Sequence, residues 1–327
     1  MLACRTDPAF FIPLRTLTAL VCAFLSFAAA PSGFPATSLR PEDLRVASVG
    51  YRLGLEGQAL CPDQVPLTGL LLHHLAEYDG EGRATEIARH ALDRGPGVLA
   101  TVADSPAAQA GLMAGDVLIS LNGAAFPDPR SMLAKQRRGD WRAPIEASEA
   151  WLEAVLRQGP AELRIGRGSQ ELTIRLQARQ ACPARVRLAR SNQANAFATG
   201  TYVVVTTRML DALRGEDELA IIIGHELAHN ILRHEQRLDE QSGTRGNASR
   251  IRAAEEEADL LGLKLAAAAG YDVRAAIPMW RRLHAQFGGG LQLVRTHPSL
   301  KRREQLIEAA IEEIERTQAA PPPASPL

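Results

Sequence analysis

Ile221-Ile-Ile-Gly-His-Glu-Leu-Ala-His-Asn230 is the stretch from which the rest of the chain can be read. Ile221, Ile222, Ile223, Leu227, Ala228 and Ile231 predict a buried helix. On a helix His225 and His229, four residues apart, stack on one face and can point two imidazoles at one ion. Glu226 stands beside the first of them and can take a proton from an attacking water rather than bind the ion. A glutamate and two histidines inside so apolar a helix would be costly to bury without a metal. The pattern predicts one zinc ion per chain.

Catalytic zinc usually keeps three protein ligands and one position for water. A ligand histidine further along the same motif is excluded, because Leu232 and Glu235 occupy the positions where a metzincin carries glycine and histidine. A carboxylate from a later helix is then expected, and Glu255-Glu256-Glu257-Ala258-Asp259 supplies candidates. At about 100° per residue, Ile251, Ala254, Ala258, Leu261, Gly262 and Leu265 share one buried face. Glu255 lies at its edge, next to Gly262, and is the expected third ligand. Glu256 points nearly opposite and Glu257 falls on the other flank, both reading as a solvated face. Asp259, one turn beyond Glu255, can accept the free N–H of a ligand histidine. His234 falls on a different helix face from His229 and reads as structural, while His73, His74, His90 and His284 read as surface or packing residues.

Working outward, Thr201–Thr207 is a β-branched strand, expected to be the sheet edge on which an extended peptide pairs. Helices are expected from Asp217, about Ala248, Val273 and Leu300 onward. The earlier block holds short strands at 97–102 and 116–121, a short helix at 106–111, a helix at 147–156 and a hairpin around Gly166-Arg167-Gly168, with a polar loop over 127–144. Upstream, Arg5 and Arg15 precede the apolar run 17–27 and Ala28-Ala29-Ala30, the order of a secretory signal peptide. Thirty-seven basic residues balance 37 acidic ones, which removes the electrostatic reason to expect nucleic acid as a partner. Cys61 and Cys182 fit no zinc or redox spacing, so after export to an oxidising compartment they are expected to form a disulfide.

Two resemblances extend this reading. Gly97-Val98, Asp104-Ser105-Pro106-Ala107, Ala110-Gly111-Leu112, Gly115-Asp116-Val117-Leu118 and Asn122-Gly123 resemble a PDZ domain of the bacterial protease type. That implies capture of chain ends by strand addition, with Gly50-Tyr51-Arg52-Leu53-Gly54-Leu55 as a candidate carboxylate-binding loop. Asn195-Ala-Phe, Glu218-Leu-Ala, His225-Glu-Leu-Ala-His229, Arg233-His234, Glu255-x-x-Ala-Asp259, Gly270-Tyr-Asp272, Thr296-His-Pro298 and Arg303 resemble the gluzincin peptidase family that contains the CAAX prenyl protease, HtpX and BepA. This resemblance implies zinc on His225, His229 and Glu255 and Glu226 as general base. It also implies His297 and Arg303 near the open metal site, in contact with substrate or the developing oxyanion.

The expected fold class is α+β: a small PDZ-like β-sandwich/α module over 45–180, then a mainly α-helical zincin-type metallopeptidase domain over 184–316 with a short edge strand. A signal peptide over 1–30 precedes them and a disordered tail over 317–327 follows. The expected function is an exported, periplasmic zinc endopeptidase acting on protein or peptide substrates of the envelope. Membrane contact is expected only if the leader stays uncleaved. The rival is a PDZ-type adaptor or chaperone whose metal site is structural, or closed by His297 as a fourth ligand.

Overall fold

A computed structural model describes residues 41–135, 142–240, 247–288 and 300–319. The expected leader, His297 and residues 320–327 lie outside them, as do residues 136–141 of the expected polar loop. All described residues fall in one compact unit, Gly33–Leu327. The architecture is mixed helix and sheet.

Helix α1 (Pro41–Glu56) opens the described chain. Residues 50–55 are therefore not a carboxylate-binding loop. Their glycines serve contact instead: a Cβ on Gly50 would stand 2.2 Å from Val186 Cγ2, and one on Gly54 2.5 Å from Ala184 Cβ. The helix lies against a strand of the second block, and Val46, Val49 and Leu53 join that block's core.

Strand β1 (Val65–Leu67) leads into a module of β2 (Leu70–His73), α2 (Gly80–His90), β3 (Gly97–Thr101), α3 (Pro106–Gln109), β4 (Val117–Leu121), β5 (Ala124–Ala125), α4 (Pro129–Lys135), α5 (Ala143–Leu156), β6 (Ala161–Arg167) and β7 (Gln170–Leu176). Part of the expected 127–144 loop is thus helical, in α4 and the start of α5. The sheet runs β2-β3-β4-β6-β7, antiparallel throughout, with β5 paired to β4. Alternating Ala161, Leu163 and Ile165 face inward and meet Leu152 and Leu156 of α5. Strand β8 (Arg179–Ala181) then returns to pair antiparallel with β1. Just outside that ladder, Cys61 and Cys182 form a disulfide with their Cα atoms 5.6 Å apart.

The second block begins with β9 (Arg185–Ala189), β10 (Ala196–Ala198) and β11 (Tyr202–Thr206), ordered β10-β11-β9. Strand β11 is the middle strand, antiparallel to β10 and parallel to β9. It is therefore not the edge expected of Thr201–Thr207; the edges are β9 and the shorter β10. A strand buried at every position, as β11 is, belongs inside a sheet. Helices α6 (Thr207–Ala212), α7 (Glu216–Ile231), α8 (His234–Glu240), α9 (Asn247–Ala268), α10 (Ala276–Phe287) and α11 (Leu300–Ala319) follow. Helix α11 runs three residues into the expected tail. Glu216, Asp217 and Glu218 in the first turn of α7 complement its dipole. No described helix is long and apolar enough to cross a membrane.

Helices α7 and α9 touch backbone to backbone. A Cβ on Gly224 would lie 2.7 Å from Gly262 O, and one on Gly262 would lie 2.6 Å from His225 N. Only glycine on both sides permits this approach, which brings the acidic run of α9 up to the histidines of α7.

Candidate metal centre

Helix α7 buries His225 and Glu226, which keep 2% and 4% of their surface, and α9 buries Glu255 and Asp259. His225 Nε2 and His229 Nε2 are 3.2 Å apart, and Glu255 Oε2 lies 3.4 Å from the first and 3.7 Å from the second. Ligand bonds of about 2.0–2.1 Å give a tetrahedral zinc a ligand-to-ligand edge of about 3.3 Å. The three atoms therefore match one face of such a tetrahedron, and two imidazoles with one carboxylate are a zinc donor set. Other members of the acidic run behave differently. Glu256 pairs with Arg302 at 3.1 Å, away from the triangle.

Each histidine is held from behind. His225 Nδ1 stands 2.9 Å from Asp259 Oδ1. Arg303 grips Asp259 with two hydrogen bonds of 2.8 Å and lies with Cζ 3.7 Å above the Trp280 ring. Arg303 is 3% exposed. The resemblance implied a place beside substrate; the structure places its guanidinium behind the site, on Asp259. Burial alone would raise the Asp259 carboxyl, but the Arg303 charge and the hydrogen bonds from His225 and Arg303 hold it well below the usual range.

His229 is supported by a residue the sequence set aside. His234 Nδ1 lies 2.9 Å from His229 Nδ1, and its Nε2 lies 3.1 Å from Glu257 Oε2, which also accepts from Arg237 at 2.9 Å. For His229 to offer Nε2 to a metal, its Nδ1–H must donate to His234, which then donates from Nε2 to Glu257. Burial, only partly opposed by Glu257, keeps the His234 imidazole below its ordinary pKa and so neutral, as this direction of bonds requires. His234 reaches His229 because α7 ends at Ile231 and the chain turns through Arg233 at φ 54° before α8 starts. Glu257, read as solvated, has this role.

Burial pushes the Glu226 carboxyl up. The charges of His225 and His229, and a hydrogen bond from the Ala198 backbone in β10, oppose that rise. The base is thus tied to the edge strand. Beyond the site, His73 is buried with Nδ1 2.6 Å from Tyr78 Oη, and His74 accepts the Ala76 N–H at 3.0 Å as a helix cap. Both are packing residues. His297 lies outside the described residues.

The model of Peptidase family M48 matches residues 164–248 and 245–311. The mitochondrial metalloendopeptidase OMA1 of Schizosaccharomyces pombe is 33% identical over 145 residues, and the protein of that name from Arabidopsis thaliana is 30% identical over 132. These matches cover 35% and 33% of this chain and 42% and 27% of the relatives, so the chain spans less than half the length of either. Among solved structures, a crystal structure of the HtrA3 PDZ domain bound to a phage-derived ligand is similar at 19% identity, covering 36% of this chain and 89% of that one, with a TM-score of 0.26. The family match and both relatives bear the names of metallopeptidases.

Proposed function

We propose that this protein is an exported zinc endopeptidase that hydrolyses peptide bonds in misfolded or envelope proteins. The observation that carries the proposal is the donor triangle of His225, His229 and Glu255 with Glu226 on the same helix as both histidines. Zinc held there would polarise the scissile carbonyl and make water acidic enough to attack at neutral pH. Glu226 takes that water's proton and passes it to the leaving amine. A carboxyl raised by burial is suited to both halves of this transfer. Asp259 and His234 hold the two imidazoles in orientation before substrate arrives. An extended substrate pairs with β10, the short edge strand whose Ala198 also bonds the base.

In the same reading, the PDZ-like module recruits chain ends along β2, which stands at one edge of its sheet. Arg187 Nη1 from the second block already donates to the Leu72 carbonyl of that strand at 2.8 Å, so an incoming peptide must displace it. The leader-like N-terminus and the Cys61–Cys182 disulfide support export to an oxidising compartment.

Glu226→Gln tests the reaction. The variant is expected to retain one zinc per chain by metal analysis and to lose casein cleavage by at least about a hundredfold, the low end of what a general base contributes. Cleavage at near the original rate would refute the assignment of the base.

A further inference from the structure

Strand β2 stands at one edge of the module's sheet, but β9 of the second block already lies against it across a shared cavity. Alternate residues of a strand share a face, and Arg185 and Arg187 of β9 both reach the module. Arg187 donates from Nη1 to the Leu72 carbonyl of β2 at 2.8 Å and from Nη2 to Glu149 of α5. Arg185 donates to Glu153, one turn further along α5. The Tyr202 ring lies 5.8 Å and 5.7 Å from the two guanidinium carbons, and its hydroxyl donates to the other oxygen of Glu149. Inside these contacts a cavity of about 90 Å³ is walled by Leu70 and Leu72 of β2, Leu152 and Leu156 of α5 and Val186 of β9. An apolar slot between a sheet edge and a helix is thus closed by the chain itself.

The closure is not a loose surface contact. The side chains of Arg187 and Glu149 keep 27% and 14% of their surface. An extended peptide adding to β2 must take the Leu72 carbonyl from Arg187. Moving Arg187 away also strips Glu149 of its cation in a largely desolvated place, which is costly unless another cation replaces it. Arg185-Val186-Arg187 shows what fits there: two guanidiniums two residues apart on an extended chain, with an apolar residue between them. Two residues advance a strand by about 6.6 Å, and the four residues from Glu149 to Glu153 advance a helix by about 6 Å. The two pairs of charges are in step.

We propose that β9 is an internal ligand of the slot between β2 and α5, and that the segments the module recruits are extended and carry two basic residues two apart, which replace Arg185 and Arg187 on Glu153 and Glu149. The inference rests on the recruitment reading and deepens it; hydrolysis has no part in its test. The starting protein is zinc-loaded, full-length Glu226→Gln, and the probes are fluorescent decapeptides that differ only in a central Arg-Val-Arg, Gln-Val-Gln or Glu-Val-Glu. Adding Arg185→Gln and Arg187→Gln opens the slot, and anisotropy is expected to show the arginine peptide bound about tenfold tighter than by the starting protein. In the opened protein the arginine peptide is expected to bind about tenfold tighter than the glutamine peptide, with the glutamate peptide weakest and the gap shrinking at high salt. Further addition of Glu149→Gln and Glu153→Gln, which removes both sides of the clasp, is expected to bring the arginine peptide down to the affinity of the glutamine peptide. If the double change unfolds the protein, two readings remain. The quadruple variant is expected to bind the glutamine peptide tighter than the starting protein does, and the starting protein to prefer the arginine peptide to the glutamine one; failure of either overturns the proposal. Peptides that bind the starting and opened proteins alike, or an opened protein indifferent to peptide charge, overturn it and leave recruitment standing. If none of the three peptides binds any variant, recruitment by this edge fails with it.

Discussion

His234 shows what a single dihedral can decide. Continued helix would carry it away from His229, and no glycine or asparagine marks the break; the left-handed Arg233 that returns it is a conformation few side chains adopt. His225 and His229 share a face by helical spacing and Glu255 stands at the edge of the buried face of α9, so those placements were legible in the sequence, whereas the α7–α9 approach that brings them together was not. Nor was the His234–Glu257 support, because it depends on where a helix stops. His234→Ala is expected to weaken zinc binding about 10- to 100-fold, as loss of a partner behind a ligand does, with His234→Gln restoring part of it through a new acceptor. Chelator competition measures both, and an unchanged dissociation constant for the alanine variant would leave His234 a packing residue. His225 makes a separate prediction. In the zinc-free chain burial opposes its charge, but the hydrogen bonds to Asp259 and Glu255 prevail and push it up to about 10. An unfolded histidine titrates near 6.5, so this group's contribution to zinc-free stability is complete below about pH 6.5 and is lost as pH rises through about 10. Zinc takes the neutral imidazole. Binding at pH 8 is therefore expected to release a proton, read by calorimetry in buffers of different ionisation heat; no release would show His225 already neutral.

Between elements, the α7–α9 crossing sets the site. A Cβ on Gly262 would meet His225 N at 2.6 Å and Gly224 C at 2.8 Å, backbone atoms that cannot turn aside. Glu255 and Asp259 sit about two turns and one turn before that point on α9. Gly262→Ala is expected to push α9 outward, lower stability by about 1–3 kcal/mol as overpacking does, and weaken zinc binding. The roughly 1 kcal/mol that alanine adds in helix propensity works the other way. A raised melting temperature with unaltered zinc affinity would show the crossing to be slack. The same chemistry explains why α1 was misread. Gly50 and Gly54 resemble loop residues when only local propensity is considered, and their use as a smooth helix face appears only once Val186 and Ala184, far along the chain, lie against them. Strand β11 is a related case: its β-branched run announces a strand, but its neighbours decide whether that strand is central or at an edge.

In the whole molecule, the disulfide closes the neck through which the chain leaves the second block and re-enters it. Cys61 and Cys182 are 121 residues apart, and Pro62 and Pro183 stand beside them. Closing a loop of that size stabilises by about 4–5 kcal/mol in the chain-entropy account, with measured gains often smaller. Replacing both cysteines by serine is expected to lower the urea midpoint and steepen its slope, because the unlinked unfolded chain exposes more surface. A midpoint unaffected by the replacement would show that the β1–β8 ladder holds the neck alone.

The placement of α1 has a consequence in time. Its partners on β9, α7 and α9 begin more than a hundred residues downstream, so during vectorial synthesis the helix emerges long before anything can cover Val46, Val49 and Leu53. The module between β1 and β8 contains its own sheet and core and has no such wait. The expected order of folding is therefore from the middle outward: the inserted module first, with the β1–β8 ladder bringing the two cysteines together, the α7–α9 crossing next, and α1, the oldest part of the nascent chain, docking last.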